Sequence, residues 1–303
     1  MVDWLWIPIT VAAALFQCLR VAVQKYLKGR LSTTGSTFTR FAFGMPGAIV
    51  YILFLLYVLD LDRPAPNMAF AIWLVTASVA QILATFLLLY VLNFRNFPVG
   101  VAYAKTEVVQ AAVFGLAFLG DPLTPWSAAS VVVGTFGVML MSLVGAEHPL
   151  RAIFTGWFER PALLGILSGA LFAVAATGFR GASLSLGHPN PIVAAGYTLA
   201  FATVLQSALM SVYIAWRERD QFRRMVEAWR PSLFAGLTSV IGSACWFTAM
   251  TLQAVAYVRT LGLVELLFTF LVSALWFREK VRPVEVAGVA LIAVGIGMIL
   301  NPH

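Results

Sequence analysis

Ten long runs of apolar residues divide the 303-residue chain, and each is long enough to cross a bilayer. About 20 residues of apolar helix span the hydrocarbon core of a membrane. The runs are continuous, whereas the strands of a membrane barrel alternate in polarity. The pattern therefore predicts an all-α integral membrane protein with ten transmembrane helices, at residues 4–24, 37–59, 69–92, 98–119, 126–145, 161–179, 191–215, 232–252, 255–277 and 284–300.

The composition excludes a soluble globular protein. Hydrophobic residues make up 61% of the chain and charged residues 11%, whereas soluble domains carry about 25% charged residues. The net charge of +7 does not indicate a nucleic-acid partner, because Lys and Arg collect in the cytoplasmic loops of membrane proteins. Cys18 and Cys245 lie in apolar runs without a CxxC spacing, so neither a disulfide framework nor a zinc site is expected.

The loop charges predict how the chain is inserted. Fourteen Lys and Arg residues lie in the loops after the odd-numbered spans, whereas Arg63 and Arg180 are placed on the opposite side. Since basic loops stay in the cytoplasm, both termini are predicted to lie outside it. The first run has no basic region before it and no small-residue cleavage site, so it is interpreted as a retained helix. A bacterial inner membrane is the expected location.

An internal repeat relates the two halves of the sequence. "VAYAKT" at 101–106 matches "VAYVRT" at 255–260 with an offset of 154 residues. Glu107 and Glu265 are 158 residues apart, so the two registers differ by about one helical turn. Five spans are an odd number, and two copies must therefore have opposite orientations in the membrane. We expect one repeat at 1–146, a cytoplasmic linker at 147–160 and a second repeat at 161–303.

A second matching segment carries a family resemblance. "LAFLGDPLTP…GTFGVML" in the first half and "LWFREKVRPVEVAGVALIAVGIGMIL" in the second each join an apolar helix, an acidic residue, a proline turn and a glycine-rich helix. This arrangement resembles the ten-helix EamA-type members of the drug/metabolite transporter superfamily. The resemblance implies secondary transport, often export, of amino acids, nucleosides, drugs or related metabolites. Inverted repeats in such transporters hold the substrate near the bilayer midplane.

No sequence motif indicates an enzyme. HExxH, GxSxG and P-loop patterns are absent from the sequence, and no cofactor, metal or ATP-binding domain is expected. Transport energy must then come from a gradient of protons, another coupling ion or a substrate, unless transport is facilitative. The expected partners are a small-molecule substrate, that ion and the lipid bilayer, and the chain is expected to act as a monomer or homodimer.

Two glutamates are the first candidates for the transport site. Glu107 is about the tenth residue of span four and Glu265 about the eleventh of span nine, so both are predicted near the midplane. A carboxylate at that depth is costly and often belongs to a substrate or proton pathway. The structural alternative is a hydrogen bond or ion pair that only joins helices.

Two cations accompany these glutamates. Lys105 and Arg259 are not at the i,i+4 spacing that would pair them with the glutamate of their own helix. Lys105 could instead pair with Glu265, and Arg259 with Glu107. Snorkelling toward the interface is the alternative for Arg259. A transported amino acid requires both signs of charge, whereas a proton-coupled exporter of organic cations requires mainly the glutamates.

Other polar and aromatic residues complete the candidate set. Gln81 and Gln206 are expected either to bind substrate or to hydrogen-bond between helices. Arg20 and Arg40 lie near predicted cytoplasmic span ends, so snorkelling is expected. Three aromatic residues could make cation–π or stacking contacts with a substrate: Tyr103, Tyr257 and Trp246. The alternative for each of them is aromatic packing between helices.

The sequence thus predicts a secondary transporter that works by alternating access around a midplane cavity, with proton-coupled export preferred. Uptake or exchange by the same fold is one alternative. An intramembrane enzyme or lipid-handling protein is a second alternative, and it would require a reactive group of residues that the sequence does not show. A membrane assembly subunit is the third, and it predicts that both glutamates can be replaced by glutamine without loss of function.

Overall fold

The computed structural model describes residues 4–27, 29–91, 93–94, 97–142, 158–271 and 282–301. Over these ranges the chain is helical and contains no strand. Single π-helical turns at Phe54–Val58 and Gly115–Leu119 continue the third and sixth helices. The helices are α1 (Trp6–Leu27), α2 (Thr33–Ala42), α3 (Met45–Leu53), α4 (Met68–Val91), α5 (Phe97–Ala104), α6 (Glu107–Phe114), α7 (Pro125–Ser142), α8 (Arg160–Ser185), α9 (Pro191–Arg217), α10 (Asp220–Glu227), α11 (Trp229–Leu252), α12 (Val255–Gly262), α13 (Val264–Leu271) and α14 (Pro283–Leu300).

The predicted spans agree with the helices. Nine helical segments of the described residues are long and apolar enough to cross a membrane, and they correspond to nine of the ten predicted runs. The tenth run, 255–277, begins with α12 and α13, and its end from 272 lies outside the described residues. So do residues 147–157 of the predicted linker. The chain is a multi-pass helical membrane protein.

Three predicted spans are broken helices rather than continuous ones. Span two breaks between α2 and α3, where Pro46 lacks the N–H that would bond to the preceding turn. Spans four and nine break without a proline, through tight i to i−3 turns: the Lys105 N–H donates to Ala102 O over 3.1 Å, and the Leu263 N–H donates to Thr260 O over 3.1 Å. Continuous hydrophobicity does not reveal such turns.

The helix bounds favour one of the two registers of the predicted repeat. The bounds of α5 and α12, Phe97–Ala104 and Val255–Gly262, differ by 158 residues at both ends, and so do those of α7 and α14. The VAY match at offset 154 therefore joins residues at different helical positions, because its first copy lies near the end of α5 and its second begins α12. Lys105 and Arg259 are consequently not equivalent positions, whereas Glu107 and Glu265 each lie in the first turn after a break.

The described residues form two compact units, each of which contains segments of both sequence halves. The first unit comprises 1–82 and 178–253, and the second 83–177 and 254–303. Neither coincides with a predicted repeat, and the repeat boundaries remain a prediction.

In the first unit, α9 packs against α2, α3 and α11, and α1 packs along α11. The start of α2 is fixed by polar contacts: Ser32 accepts a hydrogen bond from the Gly35 N–H over 3.0 Å, and its own N–H donates to Gln221 of α10 over 3.0 Å. These contacts anchor the entry into α2, whose last turn carries Arg40.

Arg180 differs from its prediction as a loop residue. It lies within α8, which extends to Ser185, and its Nη1 donates to the carbonyl oxygens of Met250 and Gln253, the latter over 2.7 Å. These carbonyl groups lie at the end of α11, where no backbone N–H of the helix is available to donate to them. Arg180 therefore serves as the C-terminal cap of α11.

In the second unit, α7 and α14 pack with close backbone contact. A Cβ at Gly137 would lie 2.7 Å from Gly288 O, and one at Gly295 would lie 2.8 Å from Gly134 N. Ser130 also donates to Gly295 O over 2.7 Å. Small residues allow this approach, as is common between membrane helices, and the helix pair supports one side of the broken spans four and nine.

Candidate functional site

Two ion pairs lie together in the second unit. Lys105 Nζ is 2.7 Å from Glu265 Oε1, and Arg259 Nη1 is 3.1 Å from Glu107 Oε1. Each pair joins a cation from one half of the sequence to a carboxylate from the other half. These are the two cross-pairings that the sequence offered for Lys105 and Arg259, and a substrate or proton role for the four residues stays a prediction.

The helix breaks position all four side chains. Lys105 lies in the turn between α5 and α6, and Glu107 begins α6. Arg259 lies in the last turn of α12, and Glu265 in the first turn of α13. A helix N-terminus carries partial positive charge, which favours a carboxylate at Glu107 and at Glu265. The cations therefore approach carboxylates that the backbone already stabilises.

The cluster is partly buried and neutral overall. Its side chains are between 12% and 26% exposed, with Lys105 the most exposed and Glu265 the least. Glu107 and Arg259 also lie close enough to act electrostatically on Lys105. Two positive and two negative charges thus compensate one another in a region where an isolated charge would be costly.

Helix α8 covers the break between α5 and α6. A Cβ at Gly169 would lie 2.8 Å from Ala104 O and 3.2 Å from Glu107 N, so only a glycine allows this approach. Gln110 donates to Thr106 Oγ1 over 2.8 Å. The backbone of the break is therefore enclosed by protein, which membrane proteins require where a helix is interrupted.

Asp121 is a polar residue of this unit whose role the sequence did not reveal. It is 7% exposed, and its Oδ2 accepts a hydrogen bond from the Val255 N–H over 3.3 Å. It thereby caps the N-terminus of α12, whose own preceding residue Ala254 has no capping side chain. In the sequence Asp121 is the acidic residue of "LAFLGDPLTP". Its counterpart in the second half, Glu279, lies outside the described residues.

The two candidate tyrosines lie within apolar packing of the second unit. Tyr103 is fully buried beside Met139, Leu140 and Ala162. Tyr257 is partly buried against a cluster that includes Val131 and Ile292. Their packing is the alternative that the sequence left open, and substrate contact by either tyrosine stays a prediction.

Gln81 and Gln206 meet in the first unit. Gln206 Nε2 donates to Gln81 Oε1 over 2.8 Å, which is the expected hydrogen bond between helices. Both line a small pocket with Arg40. The prediction that Arg40 snorkels into solvent is wrong, because only 5% of the residue is exposed: α9 and α11 pack over α2 and enclose its last turn.

Trp246, also in the first unit, is 7% exposed and donates from Nε1 to Gln17 Oε1 over 3.0 Å. It does not line the pocket that contains Gln81, Gln206 and Arg40. A substrate role for Trp246 stays a prediction.

The sequence held one signal that could have identified the environment of Arg40. Helix α2, "TTGSTFTRFA", combines small polar residues with aromatic ones, and Thr34 to Phe41 are all buried. A membrane helix of this composition is unsuited to face lipid on any side. Polar surroundings in protein were therefore predictable, although the particular neighbours from α9 and α11 were not.

Comparisons with known proteins agree with this architecture. Residues 160–301 match the model of the EamA-like transporter family. A solved crystal structure of a protein is similar over 97% of this chain and 95% of its own, with a TM-score of 0.68 and 18% sequence identity. At this identity the likeness concerns the fold alone. No curated protein matches the sequence.

Proposed function

We propose that this chain, an EamA-type member of the drug/metabolite transporter superfamily, exports a small metabolite or drug-like molecule by proton-coupled alternating access. The observation that carries the proposal is the reciprocal pair of ion pairs at the breaks of spans four and nine. Discontinuous membrane helices frequently hold the substrate and coupling-ion sites of secondary transporters.

The charges offer a way to couple protons to a change in packing. While both glutamates are ionised, each holds a cation from the other half of the chain. A proton bound by Glu265 removes the negative charge that attracts Lys105, and the ammonium group must then find another partner or reach water. Proton binding thus favours separation of α13 from the turn at Lys105, which is the kind of local change that alternating access requires.

The 158-residue register supports an inverted repeat. Equal offsets at both ends of two helix pairs, and carboxylates in the first turn after each break, are what two copies of one five-helix unit predict. In the proposed mechanism the copies exchange roles as the protein opens to one side and then to the other.

Loop charge supports the proposed placement in a bacterial inner membrane with both termini outside the cytoplasm. Arg180 is a helix cap rather than a loop residue, and its removal from the count leaves the charge bias stronger. Cysteines introduced at Ser185 and at Arg219 would report the orientation in intact cells. With both termini outside, the loop after span six is extracytoplasmic and the loop after span seven is cytoplasmic, so an impermeant thiol reagent should reach position 185 and not position 219.

 The expected pattern is labelling at Ser185 with protection at Arg219. Protection at Ser185 with labelling at Arg219 is the pattern that contradicts the proposed orientation.

Purified protein in proteoliposomes tests the transport proposal. A substrate is first found by thermal shift among amino acids, nucleosides, organic anions and lipophilic cations, because binding to the native state raises its stability. Its flux is then measured with and without a pH gradient, for the native chain and for Glu107→Gln and Glu265→Gln. We expect each variant to fold and to lose the acceleration of flux by the gradient.

The matched control is Glu227→Gln, which removes an exposed carboxylate paired with Arg223 on α10. It should leave flux and its pH dependence unchanged. Gradient-driven flux that persists in both Glu107→Gln and Glu265→Gln would contradict proton coupling through this cluster. The direction of flux in oriented vesicles separates export from uptake or exchange.

A further inference from the structure

Arg40, in the first unit, is a buried positive charge that no described residue neutralises. The residue is 5% exposed, and its Nε is buried without a hydrogen bond. Among the described residues, no carboxylate and no hydrogen-bond acceptor contacts its guanidinium group. The ring of Phe41 lies beneath it, with 4.9 Å between Arg40 Cζ and the ring centroid. Because arginine stays protonated in proteins, this charge requires compensation.

The surroundings of Arg40 increase the positive potential rather than cancel it. Arg20 lies close enough to repel Arg40 electrostatically. Arg40 is in the last turn of α2, where the helix dipole offers a negative charge equivalent to about half an elementary charge. The dipole offsets at most part of the charge of Arg40, so the guanidinium group retains net positive charge.

Hydroxyl groups that could donate to an anion line the same pocket. Ser239 and Ser243 lie one turn apart on α11 and both face the pocket beside Arg40. Neither hydroxyl makes a hydrogen bond with the described part of the chain. Gly44, the residue that precedes the first turn of α3, also lines the pocket, and a helix N-terminus favours negative charge. Hydroxyl donors and a cation therefore converge on one small space.

The size of the pocket limits its occupant. Its volume is about 10 Å³, which is room for the centre of about one water-sized atom. The amides of Gln81 and Gln206 line the same space and are joined to each other, so they form a polar wall. A single small group fits, whereas a whole drug-like molecule does not.

We propose that this pocket binds one negatively charged atom, either a free ion of the size of chloride or one oxygen of the carboxylate group of a larger molecule that reaches in from outside. Arg40 supplies the charge, and the Ser239 and Ser243 hydroxyls supply hydrogen bonds. The proposal concerns the first unit and does not depend on the transport function of the charged cluster in the second unit.

Thermal unfolding of the detergent-purified full chain tests the site without a transport assay. Chloride, bromide, formate and acetate are titrated as sodium salts. We expect Tm to rise by about 3 °C at about ten times the dissociation constant. A response to chloride identifies a free-ion site, and a response to formate and acetate alone identifies a carboxylate site.

Variants distinguish this site from general effects of salt. Arg40→Gln should lose the anion-dependent rise, and the exposed control Arg223→Gln should keep it. Should Arg40→Gln fail to fold, the double variant Ser239→Ala/Ser243→Ala keeps Arg40 and should weaken anion affinity about tenfold through the loss of two hydrogen bonds. A native chain whose Tm is indifferent to all four anions overturns the proposal, and so does an equal rise in native chain and serine variant.

Discussion

The two units treat buried positive charge in different ways. In the second unit, Lys105 and Arg259 each lie within 3.1 Å of a glutamate from the other half of the chain. In the first unit, Arg40 is more completely buried but has no carboxylate beside it in the described part of the chain. A buried cation is therefore not always paired with a carboxylate of the same chain. The second unit pairs its cations with glutamates, whereas the first unit has a polar pocket beside its cation.

This difference distinguishes two uses of charge in a membrane protein. In the proposed function the neutral cluster changes its state by gaining a proton, because each carboxylate holds a cation that is released when the carboxylate is neutralised. An uncompensated arginine is suited to hold an anion that comes from outside the chain. The two arrangements should consequently respond in opposite ways to removal of the cation.

Removal of Lys105 should have the largest effect on stability. Lys105→Met leaves Glu265, which is 12% exposed, without its cation, and breaking a buried pair in this way costs about 3–5 kcal/mol. Thermal or denaturant unfolding in detergent, at a pH where glutamate is ionised, measures the loss. Arg223→Gln is the control, since its pair with Glu227 is mostly exposed and contributes no more than about 1 kcal/mol. Equal effects of the two substitutions would contradict the assignment of Lys105 to a buried pair.

Removal of Arg40 should change the stability of the protein less than removal of Lys105 does, and it should not lower it. In a buffer without small anions, Arg40→Gln removes an uncompensated charge, so stability should stay unchanged or rise by about 1 kcal/mol. Addition of chloride or formate should then stabilise only the native chain. A large loss of stability in anion-free buffer would show that Arg40 is compensated within the protein, and the contrast between the two units would fail.

The positions of the spans were predictable because they depend on hydrophobicity over about 20 residues. The breaks in spans four and nine were not. The turns at Lys105 and Leu263 contain no proline and interrupt the helix by i to i−3 bonds, and the approach of Gly169 to Ala104 O is a tertiary contact. Pro46 in span two was a visible signal for the third break.

The site was predictable to different degrees. The pair between Lys105 and Glu265 joins residues 160 positions apart, and comparison of the two halves was enough to suggest it. The composition of α2 indicates that Arg40 lies within protein, but it does not reveal which helices pack over it. For the same reason the sequence does not identify Ser239 and Ser243 as pocket residues, because serines are ordinary in an apolar span.

Reversal of one ion pair tests the central claim most directly. In Lys105→Glu/Glu265→Lys the two charges are exchanged, so an ion pair can form again while the carboxylate leaves the first turn of α13. Proton-driven substrate flux in proteoliposomes is compared with thermal stability for the same variant. The account predicts near-native stability together with loss of the response to a pH gradient. A stable swapped protein with native, gradient-driven flux would contradict it, because the pairs would then only hold helices together.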